Sequence, residues 1–216
     1  MSDVINLKKG ERIDLAKVAP NTTRFAFALG WKPQQFDGKD FDLDASAFLT
    51  KDGVCSGVAD MVGYMTPGFV TQEAIDAGLI KDPGYRGIKD YLGFATHTGD
   101  DKTGGKPGDD ETIIFDTKKV DTNKYNDIQF NCTIYEAKER NQTFGQVDDA
   151  FIRVYDADTQ KEVCRFDLTE DYSLHTAVVV GKLYHKDTWK FQAVGGGYIN
   201  GLSGLCAGVG LSAVNG

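Results

Sequence analysis

Short alternating runs rich in Phe, Val, Ile and Ala recur along the chain, each cut off by Gly, Asp or Asn, and this punctuation constrains the fold more than any other feature. An alternation of period two gives a strand one apolar face, and turn residues at close intervals leave little room for helices between strands. The runs are Arg24 to Leu29, Asp42 to Leu49, Thr112 to Asp116, Ile128 to Tyr135, Phe151 to Tyr155 and Val163 to Leu168. Asp156-Ala157-Asp158-Thr159 supplies turn chemistry between the last two, which read as a hairpin. Val178 to Tyr184 and Trp189 to Val194 form another, turned at His185-Lys186-Asp187. Neighbours joined by such turns are antiparallel, so a mainly β fold follows, a sandwich or a barrel. Two helices are expected, both short: Thr71 to Gly78, with Thr71 as N-cap and Gly78 as stop, and a docking helix in the apolar tail Leu202 to Val214.

With 41% hydrophobic residues the 216-residue chain can bury a core, and a single domain over 1–216 is expected. Thirty-two acidic against 24 basic residues give a net charge of -8, which disfavours a phosphate backbone as partner; no nucleic acid is expected. The first residues lack an apolar core of signal-peptide length, and no run approaches the roughly 18 apolar residues of a membrane span, so a cytoplasmic protein is expected. Cys55, Cys132, Cys164 and Cys206 are far apart in apolar surroundings, the pattern of buried reduced thiols. His97, His175 and His185 form no ligand-spaced pair, which speaks against zinc.

The acids are not evenly spread. Gly99 to Glu111 is a glycine-rich loop with Asp100 and Asp101 at one end and Asp109, Asp110 and Glu111 at the other. Glycines let such a loop fold back, and clustered carboxylate and carbonyl oxygens suit a hard cation, calcium rather than magnesium because the loop is flexible. A second run places Asp40, Asp42 and Asp44 at alternate positions, on one side of an extended chain. Like charges so placed repel, so a cation or basic partner is expected nearby. Neither run is an EF-hand: counted from Asp40, the sixth position is Ala45 and the twelfth Lys51. Solvated acidic loops are the bland alternative.

Other motifs fail. Thr103-Gly104-Gly105-Lys106 lacks the first glycine and the hydroxyl residue of a P-loop. Gly195-Gly196-Gly197-Tyr198-Ile199-Asn200-Gly201 lacks dinucleotide-binding spacing and reads as a turn capping the last strand. No nucleophile elbow and no Cys–His pair stand out, His97 reads as structural, and no catalytic residue is assigned.

Gly30-Trp31, the run Asp40 to Phe48, His97-Thr98-Gly99-Asp100, Gly108-Asp109-Asp110-Glu111 and Phe144-Gly145-Gln146-Val147 together resemble the TerD family of tellurium-resistance and general stress proteins. Ala150 to Val154, Arg165 to Ser173 and Trp189 to Gly195 with Gly197-Tyr198 extend the resemblance in the same order, outside an insertion at about 66–91. The resemblance implies an antiparallel β-sandwich with a few short helices, non-enzymatic, whose end loops bind Ca2+. Its metal ligands would be Asp42, Asp44, Asp100, Asp109, Asp110 and Glu111, with Asp101 where the family usually has Asn. It also implies a role in tellurite resistance or chemical stress beside other proteins of a membrane-associated complex, with a calcium-filled surface able to meet anionic lipid. Lys32 and Pro107 stand where relatives often carry Asp, which would weaken one of two calcium sites, and Gly63-Tyr64-Met65-Thr66 replaces a family motif. Ile75, Leu79, Ile80 and Tyr85 in the insertion suggest a partner-docking surface. A magnesium-dependent hydrolase built on the same carboxylates, or a metal-free interaction module, is the alternative; a tellurite site is not expected on so acidic a surface.

Overall fold

The alternating runs pair into two facing sheets in the computed structural model, which describes residues 4–33, 35–79, 86–105, 108–168 and 172–211. The first sheet is ordered β1 (Ile5–Asn6), β13 (Glu162–Asp167), β12 (Phe151–Asp156), β3 (Arg24–Gly30), β10 (Glu111–Asp116), β9 (Ala95–His97) and β8 (Ile88–Tyr91). The second is ordered β2 (Arg12–Asp14), β15 (Trp189–Tyr198), β14 (Ala177–His185), β11 (Asp127–Ile134), β6 (Leu43–Thr50) and β7 (Met61–Val62). A small separate hairpin joins β4 (Gln35–Phe36) to β5 (Lys39–Asp40). The pairings are antiparallel except β1 with β13, which is parallel. The fold is therefore the mainly β sandwich expected, and both hairpins lie where the turn residues put them.

Aromatic side chains close the space between the sheets. Phe27 of β3 stacks on Phe130 of β11, ring centroids 3.6 Å apart, and leans on Phe191 of β15 at 5.7 Å. Phe115 of β10 meets Phe130 edge-on. Such pairs add about 0.5–1.5 kcal/mol to the burial of their area. Strand β14 is apolar on both faces for a reason outside the sandwich: Val178 and Val180 enter the central core, while Ala177 and Val179 pack under Leu205 and Cys206. These last belong to α3 (Gly201–Gly208), the docking helix expected in the tail; residues 212–214 of that stretch lie outside the described ones. Two shorter α-helices, α1 (Leu15–Val18) and α2 (Gln72–Asp76), are also present among the described residues. Thr71 caps α2 as anticipated, its Oγ1 accepting from the Ala74 N–H at 3.2 Å, and Gly78 follows at φ +70°. All four cysteines are buried and free. Among the described residues no helix is long and apolar enough to cross a membrane.

One expectation is corrected. Of the segment Gly195 to Gly201, read as a turn after the last strand, Gly195 to Tyr198 continue β15, and the chain bends only at Ile199 and Asn200, before α3. A Cβ on Gly197 would fall 2.4 Å from the His175 ring, so the glycines make room for the segment entering β14 to cross the strand. Among the described residues of the stretch at 66–91, Val70 bridges Gly87, and β8 lies at the edge of the first sheet. Leu79 on it is exposed and Ile75 half-buried, while Ile80 and Tyr85 lie outside the described residues.

Candidate metal centre

The site grows from the place where β6 outruns β7. Strand β7 pairs with β6 only at Ala47 and Phe48, so the Ala45 peptide has no strand partner on that side. A buried peptide group without a partner is costly. Two side chains of the first sheet meet this one: Glu111 Oε2 accepts from Ala45 N at 2.6 Å, and His97 Nε2 lies 3.3 Å from Ala45 O. Gly99 N donates to His97 Nδ1, so the proton sits on Nε2 and the ring is neutral. Burial pushes the His97 pKa down to about 4, consistent with that state. His97 thus braces the Ala45 peptide and the turn at Gly99.

Asp42 and Asp44 flank this junction. Leu43 between them enters the core, and period-two alternation puts both carboxylates on the other side of the strand. Asp100 comes to meet them on the loop leaving β9. That loop turns at Gly99, φ +142°, where a Cβ would lie 2.2 Å from the carbonyl oxygen of Arg86; only glycine lets the two segments press together. As a result carboxylate oxygens of Asp42, Asp44 and Asp100 lie within 4.8 Å of one another. Asp42 Oδ1 and Asp44 Oδ2 are buried with no hydrogen-bond partner. Burial, then the charge of Asp100, pushes the Asp42 carboxyl up to about 7, against the pull of Arg140 and Lys102. Asp44 is raised well above the usual carboxylate range by burial and then by Glu111 and Asp42; burial raises Glu111 likewise. Buried acids of this kind fit a hard oxygen-seeking cation, which would meet the two orphaned oxygens and remove the repulsion.

The other acids of the two runs hold the protein itself. Asp101 Oδ1 accepts from the N–H groups of Thr103 and Gly104 at 2.9 and 3.0 Å, folding the glycine-rich loop. Asp109 is bound at both oxygens by Arg153, at 2.6 and 2.7 Å. Asp110 Oδ2 accepts from Trp31 N at 2.9 Å, tying the loop to the end of β3. Glu111 Oε1 takes the Asp101 N–H at 3.1 Å while Oε2 serves Ala45. Asp40, read as sharing a face with Asp42 and Asp44, is instead exposed on β5, where it accepts from Gln35 Nε2 at 2.7 Å. The β4–β5 hairpin turns the chain before Asp42, so extended alternation does not reach back to it. Lys32 pairs with Asp149, and Pro107 lies outside the described residues.

Sequence reasoning missed three neighbours. Arg153 is matched to Asp109 by a contact 44 residues away. Arg140, held by Glu136 and the Asp40 carbonyl, biases both Asp42 and Asp44. Tyr64, in the segment that departs from the family motif, stands near Asp44 with its hydroxyl pKa raised by burial. Nothing in local spacing signals these partners.

The family model described as "TerD domain" matches residues 3–80 and 84–208, and so runs through most of the stretch at 66–91. The "Tellurium resistance protein TerD" of Alcaligenes sp is 42% identical over 97% of this chain and 98% of its own length. "General stress protein 16U" of Bacillus subtilis is 37% identical over 96% and 97%. Among solved structures, that of a homologue of telluride resistance protein from Streptomyces coelicolor superposes with a TM-score of 0.59 at 16% identity, covering 82% of this chain and 91% of that one, which supports the fold alone.

Proposed function

The chain belongs to the TerD family, and from that premise we propose that it is a non-enzymatic calcium-binding β-sandwich of the tellurium-resistance and chemical stress response. It forms one TerD-like domain over 1–216, and it works in the cytoplasm beside other proteins of a stress complex at the membrane. The observation that carries the calcium reading is the pair of buried, unpartnered oxygens on Asp42 and Asp44, gathered with Asp100 within 4.8 Å. Sealing carboxylates from water costs several kcal/mol each unless a cation offsets it. Asp42, Asp44 and Asp100 would hold the ion, which would neutralise them and lock the loop after β9 to the start of β6. Calcium is favoured over magnesium because two acids at the start of β6 and one on the glycine-rich loop do not impose the octahedral, water-retaining geometry magnesium demands. The absence of an enzymatic role is supported by His97, buried and held neutral by backbone groups instead of facing a cleft.

Calorimetric titration of metal-stripped protein tests this. Calcium should bind saturably and more tightly than magnesium, and Asp42→Asn with Asp44→Asn should weaken it by about a hundredfold or more, as expected when two charged ligands are lost. Asp109→Asn should leave binding in place, because that carboxylate serves Arg153. No calcium heat from folded wild-type protein would sink the proposal.

A further inference from the structure

Of the three clustered aspartates, Asp100 alone lies away from the start of β6, and its place depends on a contact outside the cluster. The residues before it, His97 to Gly99, are gripped by both described ends of the 66–91 stretch. On one side Phe69 meets the His97 ring edge-on, centroids 5.1 Å apart. On the other, Arg86-Gly87 lies backbone to backbone against them. Gly87 and Gly99 hold φ angles of +141° and +142°, which residues with side chains rarely adopt. A Cβ on Gly87 would fall 2.3 Å from the His97 carbonyl oxygen, just as one on Gly99 would meet that of Arg86. The two ends are also tied to each other: Val70 N donates to Gly87 O at 2.8 Å, and Gly87 N to Val70 O at 3.0 Å. Beside this bridge Ile88 of β8 pairs in register with His97.

This clasp has little slack. Gly99 is fixed between the Arg86 carbonyl and the His97 ring, whose Nδ1 accepts its N–H at 3.2 Å, while Thr98 N donates to Thr112 O at 2.9 Å. The backbone leaving Gly99 is thereby aimed, and it delivers the Asp100 carboxylate to within 4.8 Å of those of Asp42 and Asp44. The geometry points to a two-way coupling: Arg86-Gly87 positions Asp100 for the ion, and the ion in turn holds the ends of the 66–91 stretch against the sandwich. The inference rests on the calcium reading above. Gly87 is a positioning residue, acting on Asp100 through Gly99 and touching no ion. Such coupling is reciprocal: the factor by which the clasp raises calcium affinity is the factor by which calcium stabilises the clasp. Couplings of this kind are typically about 5–150-fold, and a single backbone contact sets the expectation at about tenfold. The calcium state of the site is thus passed to the stretch that carries the exposed Leu79.

The test begins with calorimetry of calcium alone; no uptake would overturn the metal reading and this coupling with it. Amide hydrogen exchange then compares stripped protein with protein in calcium about a hundredfold above its dissociation constant. The Val70 and Gly87 amides should exchange about tenfold more slowly when calcium is bound. Lys51 and Val54, which close the same kind of two-bond pair beyond the opposite end of β6, should not change. Gly87→Ala, which forces the two segments apart, should weaken calcium binding by the same factor of about ten. Gly93→Ala is the control: it carries similar backbone strain, at φ +77° in the β8–β9 turn, but its Cβ enters open space, and calcium affinity should hold. Calcium that binds yet leaves Val70 and Gly87 unprotected, or slows Lys51 and Val54 equally, would overturn the coupling and leave the metal site standing. Equal affinity in Gly87→Ala and wild type would do the same. Should Gly87→Ala not fold, the exchange of the wild-type amides decides alone.

Discussion

Asp42 shows how a single residue carries the site's chemistry. Its carboxyl is raised to about 7 by burial and by Asp100, so a proton would compete near neutrality with any metal ion bound at the same oxygens. A group whose folded pKa is raised contributes stability that is full below its unfolded value of 3.8 and is lost as pH rises through about 7. Metal-free protein should therefore gain stability from pH 8 down to 6.5. Below that His97 acts in the opposite sense: its pKa is lowered from 6.5 to about 4, so the unfolded chain takes up a proton that the folded one refuses. Calcium affinity should fall over the same window, from pH 8 to 6.5, with protons released on binding. Calorimetry in two buffers of different ionisation enthalpy reads that release directly; identical apparent heats in both would show that Asp42 is already ionised in the free protein.

At the scale of elements, the two sheets are joined as much by exceptions as by alternation. Gly181 interrupts the apolar run of β14, where the register with β15 shifts. A Cβ there would sit 2.5 Å from the Phe191 ring and 2.8 Å from the Gln192 carbonyl oxygen. Gly181→Ala should consequently overpack the core beneath Phe27 and Phe191 and cost about 1–3 kcal/mol, read as a lower midpoint in urea denaturation. An unchanged midpoint would mean that β14 moves aside freely. The end of β6 follows similar logic: an edge peptide left open by the short β7 is covered by Glu111 and His97, and that cover brings the β9–β10 loop close enough for Asp100 to join Asp42 and Asp44.

For the whole molecule, a ligand that binds only the folded chain stabilises it by mass action. At calcium a hundredfold above its dissociation constant the gain is about 2.7 kcal/mol, which for a domain of this length is about 5–10 °C in melting temperature. Differential scanning of stripped and loaded protein at pH 8 measures it, and equal melting temperatures would contradict a site that cross-links the two sheets. Much of this architecture was legible in the chain. Alternating runs and turn residues gave the strands from Arg24 to Leu168, both hairpins, the Thr71 cap and the tail helix, because each depends on neighbours a few positions away. The two acidic runs were equally plain as candidates for a cation. What spacing did not contain was the division of labour among the carboxylates. Asp109 faces Arg153, Asp110 the Trp31 peptide and Glu111 the Ala45 peptide, while Asp40 is turned outward by a two-residue hairpin. Each of these outcomes is set by a group dozens of residues off or by a local turn too short to leave a periodic trace. Local propensity therefore decided the strands and brought acids to one end of the sandwich. Only the crossing of the two sheets decided which oxygens are satisfied by backbone and which, on Asp42 and Asp44, are buried without a hydrogen-bond partner.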